Sequence, residues 1–422
     1  MMARIWIEAY GCSASQADSE MISGLLVNGG HTLAASPEES DAGVIVTCAV
    51  KDATANRMVH RIKMLGGRPL VVAGCLPKAE PGTMARISPG AALMGPNSIG
   101  RTVPVVEAAL RGERRIELDD TDLTKTGLPK VRLNEAVGIV EIASGCLSEC
   151  TFCQTKLAKG DLGSYRIGDI VRQVRAEVDD GCSEVWLTST DNGCYGFDIS
   201  EDLPGLLDAV ITIPGRFRVR VGMMNPMYMP RIREGLAKSF QSDKLYRFLH
   251  IPVQSGSGRI LGEMGRGRTA GIFADAARRF RSEFGGFTIS TDVIVGFPGE
   301  TDGDYESTEA LIEEVRPDTV NLSRYSARPG TEAAGREQVD VQTVKRRSKR
   351  MYELSCRISL DRNKEWVGWK GDVLFSEATE GGIRGRNREY KPVYAEGAVL
   401  GETRQVRITK ATNHCLVGEI ES

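Results

Sequence analysis

Cys146-Leu147-Ser148-Glu149-Cys150-Thr151-Phe152-Cys153 places three thiols at C-x3-C-x2-C spacing, with an aromatic residue just before the third. A thiolate is a soft ligand that suits iron–sulfur iron. Three thiolates on so short a loop can hold three corners of a cubane cluster, leaving the fourth iron open to a small molecule. A structural zinc site is normally closed by a fourth Cys or His. The histidines are His31, His60, His250 and His414, none of them near this loop in sequence. A distant ligand would still close a zinc site, so spacing alone leaves both metals open.

The loop leaves an apolar, strand-like run, Val137-Gly138-Ile139-Val140-Glu141-Ile142. A helical pattern follows it, with Ile170, Val171, Val174 and Val178 on one face. A cysteine loop at the end of the first strand of a β/α barrel resembles the radical S-adenosylmethionine superfamily. The resemblance implies that the open iron chelates the methionine part of the cofactor. It also implies that a delivered electron cleaves the cofactor to a 5′-deoxyadenosyl radical.

Downstream, strands are expected at 184–187, 216–221, 247–250, 288–295 and 319–322, with helical patterns between most of them. They run into Thr188–Gly196, Gly222–Pro226, Ile251–Ser257, Gly296–Thr301 and Ser323–Thr331. The expected architecture is α/β, a partial (β/α)6 barrel with polar and glycine residues at the strand carboxyl ends, where active sites of such barrels sit. Asn225-Pro226 or Pro298-Gly299 alone is ordinary turn chemistry; the succession of such loops carries the resemblance. It implies that Ser189, Asp191 and the Gly296 region contact the cofactor, and that Asn225, Gln254 and Asp292 line the cavity. His250 reads as a scaffold histidine.

Upstream, strands at 4–10, 43–47 and 70–73 alternate with a helix from about Asp18 to Asn28, capped by Asp18 or Ser19, and one carrying Met58, Val59, Ile62 and Leu65. This is the rhythm of a parallel α/β domain. Cys12, Cys48 and Cys75 then each lie just past a strand, on the sheet edge where ligand sites form. The competing reading is three buried, inert thiols. Tyr10–Glu20, Val46-Thr47-Cys48-Ala49-Val50-Lys51 and Val72–Pro77 resemble the amino-terminal domain of the methylthiotransferases. In that family the three cysteines hold a second [4Fe–4S] cluster, which makes Cys12, Cys48, Cys75, Cys146, Cys150 and Cys153 the implied metal ligands. Ser15 and Val46 stand where the family usually has Asn.

Residues 112–135 are charged and aperiodic and read as a solvated linker between a cluster domain at 1–111 and the barrel at 136–358. The basic helix Val344–Met351 reads equally as a solvated face or an RNA contact. From about Asp361 short strands suggest a small β-barrel at 359–422. Gly385-Arg386-Asn387-Arg388-Glu389-Tyr390-Lys391 resembles the signature of the TRAM domain, an RNA-binding barrel. Arg384, Arg386, Arg388 and Lys391 around Tyr390 supply phosphate charge and a stacking face.

The 422 residues carry a formal charge of −2, so any nucleic-acid binding must come from local patches. No signal peptide or bilayer-length apolar run is present, which points to a cytoplasmic protein with no membrane contact. For the ten cysteines, metal or catalysis is then a better reading than disulfides. Cys182, Cys356 and Cys415 lie outside every motif and read as structural; Cys194 sits inside the Asp191–Gly196 loop.

The resemblance implies attachment of a methylthio group to an unactivated carbon, with two [4Fe–4S] clusters, S-adenosylmethionine, a flavodoxin- or ferredoxin-like electron donor and a sulfur donor. Thr155-Lys156 after the third cluster cysteine resembles the archaeal and eukaryotic enzymes acting on threonylcarbamoyladenosine in tRNA; isopentenyl-type members tend to have Val-Pro there. Lys159 replaces a usual Arg. The absence of a carboxy-terminal membrane segment favours the archaeal form over the animal one. Isopentenyladenosine tRNA, a ribosomal-protein aspartate, or a role as an inactive iron–sulfur tRNA-binding protein remain the alternatives.

Overall fold

The computed structural model describes residues 2–49, 52–120 and 124–421, and no side chain of residues 52–56. The Val50-Lys51 end of one cysteine motif and residues 121–123 of the acidic linker run lie outside the described residues.

The amino-terminal sheet is parallel throughout, in the order Thr32–Leu33, Arg4–Ala9, Ala42–Thr47, Leu70–Gly74, Ala92–Met94, Ile116–Glu117. Its central strands Ala42–Thr47 and Leu70–Gly74 are buried at every residue, which is why they read as continuous apolar runs rather than alternating ones. The short strand Ile116–Glu117 lies inside the expected linker and pairs with Ala92–Met94.

The first helix runs Ser13–Asn28, so neither Asp18 nor Ser19 caps it; Cys12 is the capping residue, in extended conformation. Asp18 and Ser19 are interior and buried because this helix is wedged between the sheet and the barrel strand Val137–Glu141, whose Val137 and Ile139 share its apolar core. Most described residues of the connector are exposed or partly exposed, but it is anchored to the first helix. Lys125 is 3% exposed, and Val131 N–H donates to Glu20 O at 3.0 Å. A Cβ on Gly24 would lie 2.2 Å from Pro129 O, so only glycine lets the connector cross there.

The parallel barrel strands follow chain order. Val137–Glu141, Glu184–Thr188 and Arg218–Val221 pair side by side, as do Phe248–His250, Thr288–Val295 and Thr319–Arg324. A Val219–Leu245 bridge joins the two sets. Helices Ile167–Asp179, Leu203–Ile211, Met229–Ser239, Thr269–Phe284 and Asp302–Val315 pack outside around one apolar core. The last of these opens with a Thr301/Asp304 capping box.

Helix Val341–Lys364 crosses the final strand and continues past the expected boundary at 358. Its basic face is largely ion-paired: Arg347, 4% exposed, meets Glu300 at 2.8 Å and Asp302 at 2.7 Å, and Arg350 meets Glu309 at 2.6 Å. The carboxy-terminal barrel is closed, in the order Lys370–Thr379, Gly382–Arg386, Pro392–Ala395, Leu416–Ile420, Thr403–Ala411. Val373, Phe375, Val393, Val406, Ile408 and Leu416 fill it.

This small barrel docks at the amino-terminal ends of the parallel strands, opposite the cysteine loops. Lys391 Nζ donates to Asp318 Oδ1 at 2.6 Å and to Asn363 Oδ1 at 2.9 Å, and is 3% exposed. Tyr390 packs on Tyr246 and Phe248 with ring centroids at 4.8 and 4.7 Å, and Arg220 and Arg386 lie over its ring. The expectation of an open RNA surface is corrected for Lys391, which is buried in the domain junction; Tyr390 and Arg386 are partly buried there. Arg384 and Arg388 remain half-exposed but are paired with Glu377 and Asp243.

Candidate functional site

The Cys146 loop is shaped by Gly145, at φ +72°; a Cβ there would sit 1.8 Å from Asp161 O. The loop is pinned where Thr151 N–H donates to Met264 O at 3.1 Å. Ser148 N–H donates to Cys146 Sγ at 3.3 Å, and Arg266 Nη1 donates to Cys150 Sγ at 3.6 Å. Hydrogen-bond donors and a guanidinium around sulfur favour thiolates and so metal ligation. Arg266 also donates to Asn225 Oδ1 at 3.0 Å and to Pro252 O at 2.5 Å, tying three strand-end loops together.

Asp191 lies beside this loop, its Oδ2 3.9 Å from Cys146 Sγ, while its Oδ1 accepts from Gly193 N–H at 2.9 Å and Asn225 N–H at 3.0 Å. Burial raises its carboxyl above the ordinary range. Asn225 Nδ2 donates to Ser148 Oγ at 3.1 Å. Cys194 is fully buried, and its thiol lies within 4.8 Å of both Cys146 and Asp191. Asp292 accepts from Asn321 Nδ2 at 2.8 Å and pairs with His250 Nε2 at 2.8 Å. Gly296 N–H donates to Glu300 Oε2 at 2.9 Å, and a Cβ on Gly296 would lie 2.4 Å from a Val344 methyl. Gln254 holds a positive φ of 71°. The side-chain oxygens of Ser189, Thr190 and Gln254 are buried and have no hydrogen-bond partner among the described residues. Orphaned polar atoms at strand ends beside a triplet of thiols fit a polar cofactor bound on a cluster.

The second triplet follows the sheet edge as expected. Gly11, at φ +114°, brings the chain so close to Cys48 that a Cβ would lie 2.2 Å from Cys48 Cβ. Cys48 is buried at the end of Ala42–Thr47, and buried Cys75 opens helix Cys75–Ala79. A hydrogen bond from Cys48 holds the Cys12 thiol well below its ordinary value, whereas burial pushes Cys75 up to about 12. Ser15, standing for the usual Asn, keeps its Oγ 3.8 Å from Cys12 Sγ. Val46 is fully buried and its carbonyl accepts from Tyr10 N–H at 2.9 Å.

The two triplets are neighbours. Helix Cys75–Ala79 packs on helix Gln154–Lys159, with Cys75, Ala49 and Ala158 in one apolar cluster. Ser13 Oγ and Thr188 Oγ1 meet across the junction at 2.8 Å. Beneath both loops, Glu141 accepts from Lys159 at 2.7 Å and forms an ion pair with Lys125 at 2.9 Å, and Lys125 donates to Asp18 at 2.6 Å. Burial would raise Glu141, but the two ammonium groups outweigh it and hold the carboxyl down to about 2. Asp18, Lys125, Glu141, Arg266 and the Ser148 hydroxyl were not legible as site groups in the sequence, because their partners lie on segments remote in the chain.

Residues 4–95 match the uncharacterized protein family UPF0004, and residues 140–312 match the Radical SAM superfamily. The chain is 40% identical to a probable threonylcarbamoyladenosine tRNA methylthiotransferase of Pyrococcus horikoshii over 99% of this chain and 100% of that protein. It is 36% identical to the threonylcarbamoyladenosine tRNA methylthiotransferase of Drosophila melanogaster over 99% of this chain and 77% of that one. The fold is similar to the radical S-adenosylmethionine methyltransferase TsrM of Kitasatospora setae, at TM-score 0.58 and 13% identity, covering 79% of this chain and 77% of that one. End-to-end similarity at this level, with both cysteine triplets at strand carboxyl ends, places the chain in the threonylcarbamoyladenosine tRNA methylthiotransferase family.

Proposed function

We propose that this protein adds a methylthio group to carbon 2 of threonylcarbamoyladenosine next to the anticodon of tRNA, with one [4Fe–4S] cluster on each cysteine triplet. The observation that carries this reading is the packing of helix Cys75–Ala79 on helix Gln154–Lys159, which sets the two triplets against each other at the mouths of their sheets. When bound, the clusters and S-adenosylmethionine supply the sulfur and the radical chemistry that an unactivated C–H bond demands.

Cys146, Cys150 and Cys153 hold the cluster of the barrel, and Cys12, Cys48 and Cys75 hold the other. Arg266 fixes Cys150 and Asn225 in one arrangement, and Ser148 orients Cys146. Ser189, Asp191, Gln254 and the Gly296 turn bind the cofactor's polar groups, and Asn225 and Asp292 line the cavity. The small barrel contributes tRNA contacts through half-exposed Arg384 and Arg388. An electron donor of flavodoxin or ferredoxin type and a separate sulfur donor complete the reaction in the cytoplasm. The working division is 1–111, 136–358 and 359–422, joined by 112–135. Among the described residues no helix is long and apolar enough to cross a membrane.

The test is anaerobic reconstitution followed by reaction with two tRNA substrates. One carries threonylcarbamoyladenosine and the other isopentenyladenosine. Nucleoside mass spectrometry should find the methylthio product only from the first. A product only from the second would overturn the substrate assignment.

A further inference from the structure

Arg220 lies on strand Arg218–Val221, whose alternate residues Val219 and Val221 pack into the core under the outer helices. Alternation turns Arg220 to the inner face of the barrel. Its guanidinium sits over the rings of Trp186, Phe248 and Tyr390, 5.4, 5.6 and 5.7 Å from their centroids. Among the described residues it has no hydrogen-bond or ion-pair partner. The buried carboxylate of Glu184 is taken by others: Trp186 Nε1 donates to its Oε1 at 2.6 Å, and the hydroxyls of Tyr246 and Ser376 donate to its Oε2. A planar fork of N–H donors, held on aromatic faces and left unmatched, suits a carboxylate.

The same contacts place Arg220 in the barrel lumen. Phe248 and His250 are two residues apart on one strand and share a face, and His250 Nε2 pairs with Asp292 Oδ1 at 2.8 Å. Arg220, against Phe248, therefore lies on the side of the His250–Asp292 pair, about 7 Å nearer the floor, the rise of two strand residues. The lumen is open there. The side chains of His250 and Asp292 are 17% and 30% exposed although they point inward, and Arg220 and Trp186 are partly exposed.

We infer that Arg220 is a specificity-determining residue: its guanidinium binds the carboxylate of the threonylcarbamoyl group in a bidentate pair. The inference rests on the substrate proposed above. The threonylcarbamoyl group hangs from N6, across N1 from carbon 2. A base that presents carbon 2 to the cysteine loops at the strand carboxyl ends turns this group away from them, down the lumen towards Arg220. An isopentenyl group carries no charge and would leave the fork unpaired and shielded from water, which a site built on polar contacts rejects.

The experiment titrates the reconstituted full chain with two anticodon stem-loop RNAs. One carries threonylcarbamoyladenosine and the other its methyl ester, which keeps the shape and removes the charge. Phosphate contacts are common to both RNAs and cancel in the ratio of their dissociation constants. The parent should bind the acid about 10- to 100-fold more tightly, the scale of a charged hydrogen-bonded pair. Arg220→Met should bring the two affinities together, and Arg220→Lys, charged but without the fork, should fall between. A parental ratio in folded Arg220→Met overturns the inference, and so do equal affinities in the parent, a result that needs no variant. Weaker S-adenosylmethionine binding by Arg220→Met with the RNA ratio intact would assign the guanidinium to the cofactor's carboxylate and overturn it too. Product formation by the parent is measured in parallel. Methylthio product from the acid RNA with equal affinities for acid and ester overturns the role of Arg220 alone, whereas no product from the acid RNA overturns the substrate reading beneath it.

Discussion

Asp318→Asn is expected to loosen the carboxy-terminal barrel from the parallel barrel. The Asp318 side chain is 2% exposed, and its carboxylate receives Lys391 at 2.6 Å, Arg281 at 3.0 Å, Arg362 at 3.4 Å and Ile289 N–H at 2.9 Å. Burial would raise the carboxyl, but Lys391, Arg362 and Arg281 outweigh it and hold it well below the usual range. The amide removes the carboxylate from Lys391 and Arg281, while Arg362 keeps Glu365 at 3.0 Å. Breaking a buried pair in this way costs about 3–5 kcal/mol. Lys391→Met leaves Asp318 its two arginines and should cost less, about 1–3 kcal/mol. Urea unfolding followed by tryptophan fluorescence reads this directly, because Trp366 and Trp369 pack together at the junction with centroids at 5.6 Å. A depressed folded pKa means the contribution is complete above the unfolded value of 3.8 and fades as pH falls through the folded one. The gap between parent and Asp318→Asn should therefore narrow only below about pH 4. A cost under about 1 kcal/mol at neutral pH, the scale of a surface pair, would refute the reasoning.

Changing Cys146, Cys150 and Cys153 together to Ala should halve an iron content of about eight per chain and end reductive cleavage of S-adenosylmethionine; retained cleavage would refute the site. Gly11→Ala should cost the other half, since its Cβ would collide with Cys48 at 2.2 Å; a full iron complement by elemental analysis would show that the turn is free to shift. Substituting Cys182, Cys356 and Cys415 should leave iron unchanged, because they bond Glu135 O, Asn413 and Thr412 rather than one another. Tyr390→Ala should lower stability by about 3–5 kcal/mol while uncoupled cofactor cleavage persists, as its ring packs far from the cysteine loops; loss of cleavage in a folded variant would contradict this.

Much of this was legible locally. The C-x3-C-x2-C loop and the strand runs that precede Cys12, Cys48 and Cys75 are short-range signals, and both triplets sit where the strand pattern put them. The first helix begins at Ser13, ahead of the apolar pattern from Asp18, because burial between two domains rather than amphipathicity makes its Ser-, Gln- and Asp-bearing first turns helical. The basic signature around Tyr390 admits two readings for a related reason. Charge and an aromatic ring suit RNA, but they equally suit a buried junction once Asp318, Tyr246 and Phe248 are supplied from the barrel. Lys125 and Arg266 carried no local signal, since their partners come from several distant segments.

The most direct measurement is mass spectrometry of tRNA nucleosides from a strain lacking this gene and from the same strain with it restored. The account predicts that 2-methylthio-threonylcarbamoyladenosine disappears, threonylcarbamoyladenosine accumulates, and restoration reverses both unless Cys12, Cys48 and Cys75 or Cys146, Cys150 and Cys153 are changed. Unaltered methylthio-threonylcarbamoyladenosine, with loss of a different methylthiolated nucleoside, would contradict it.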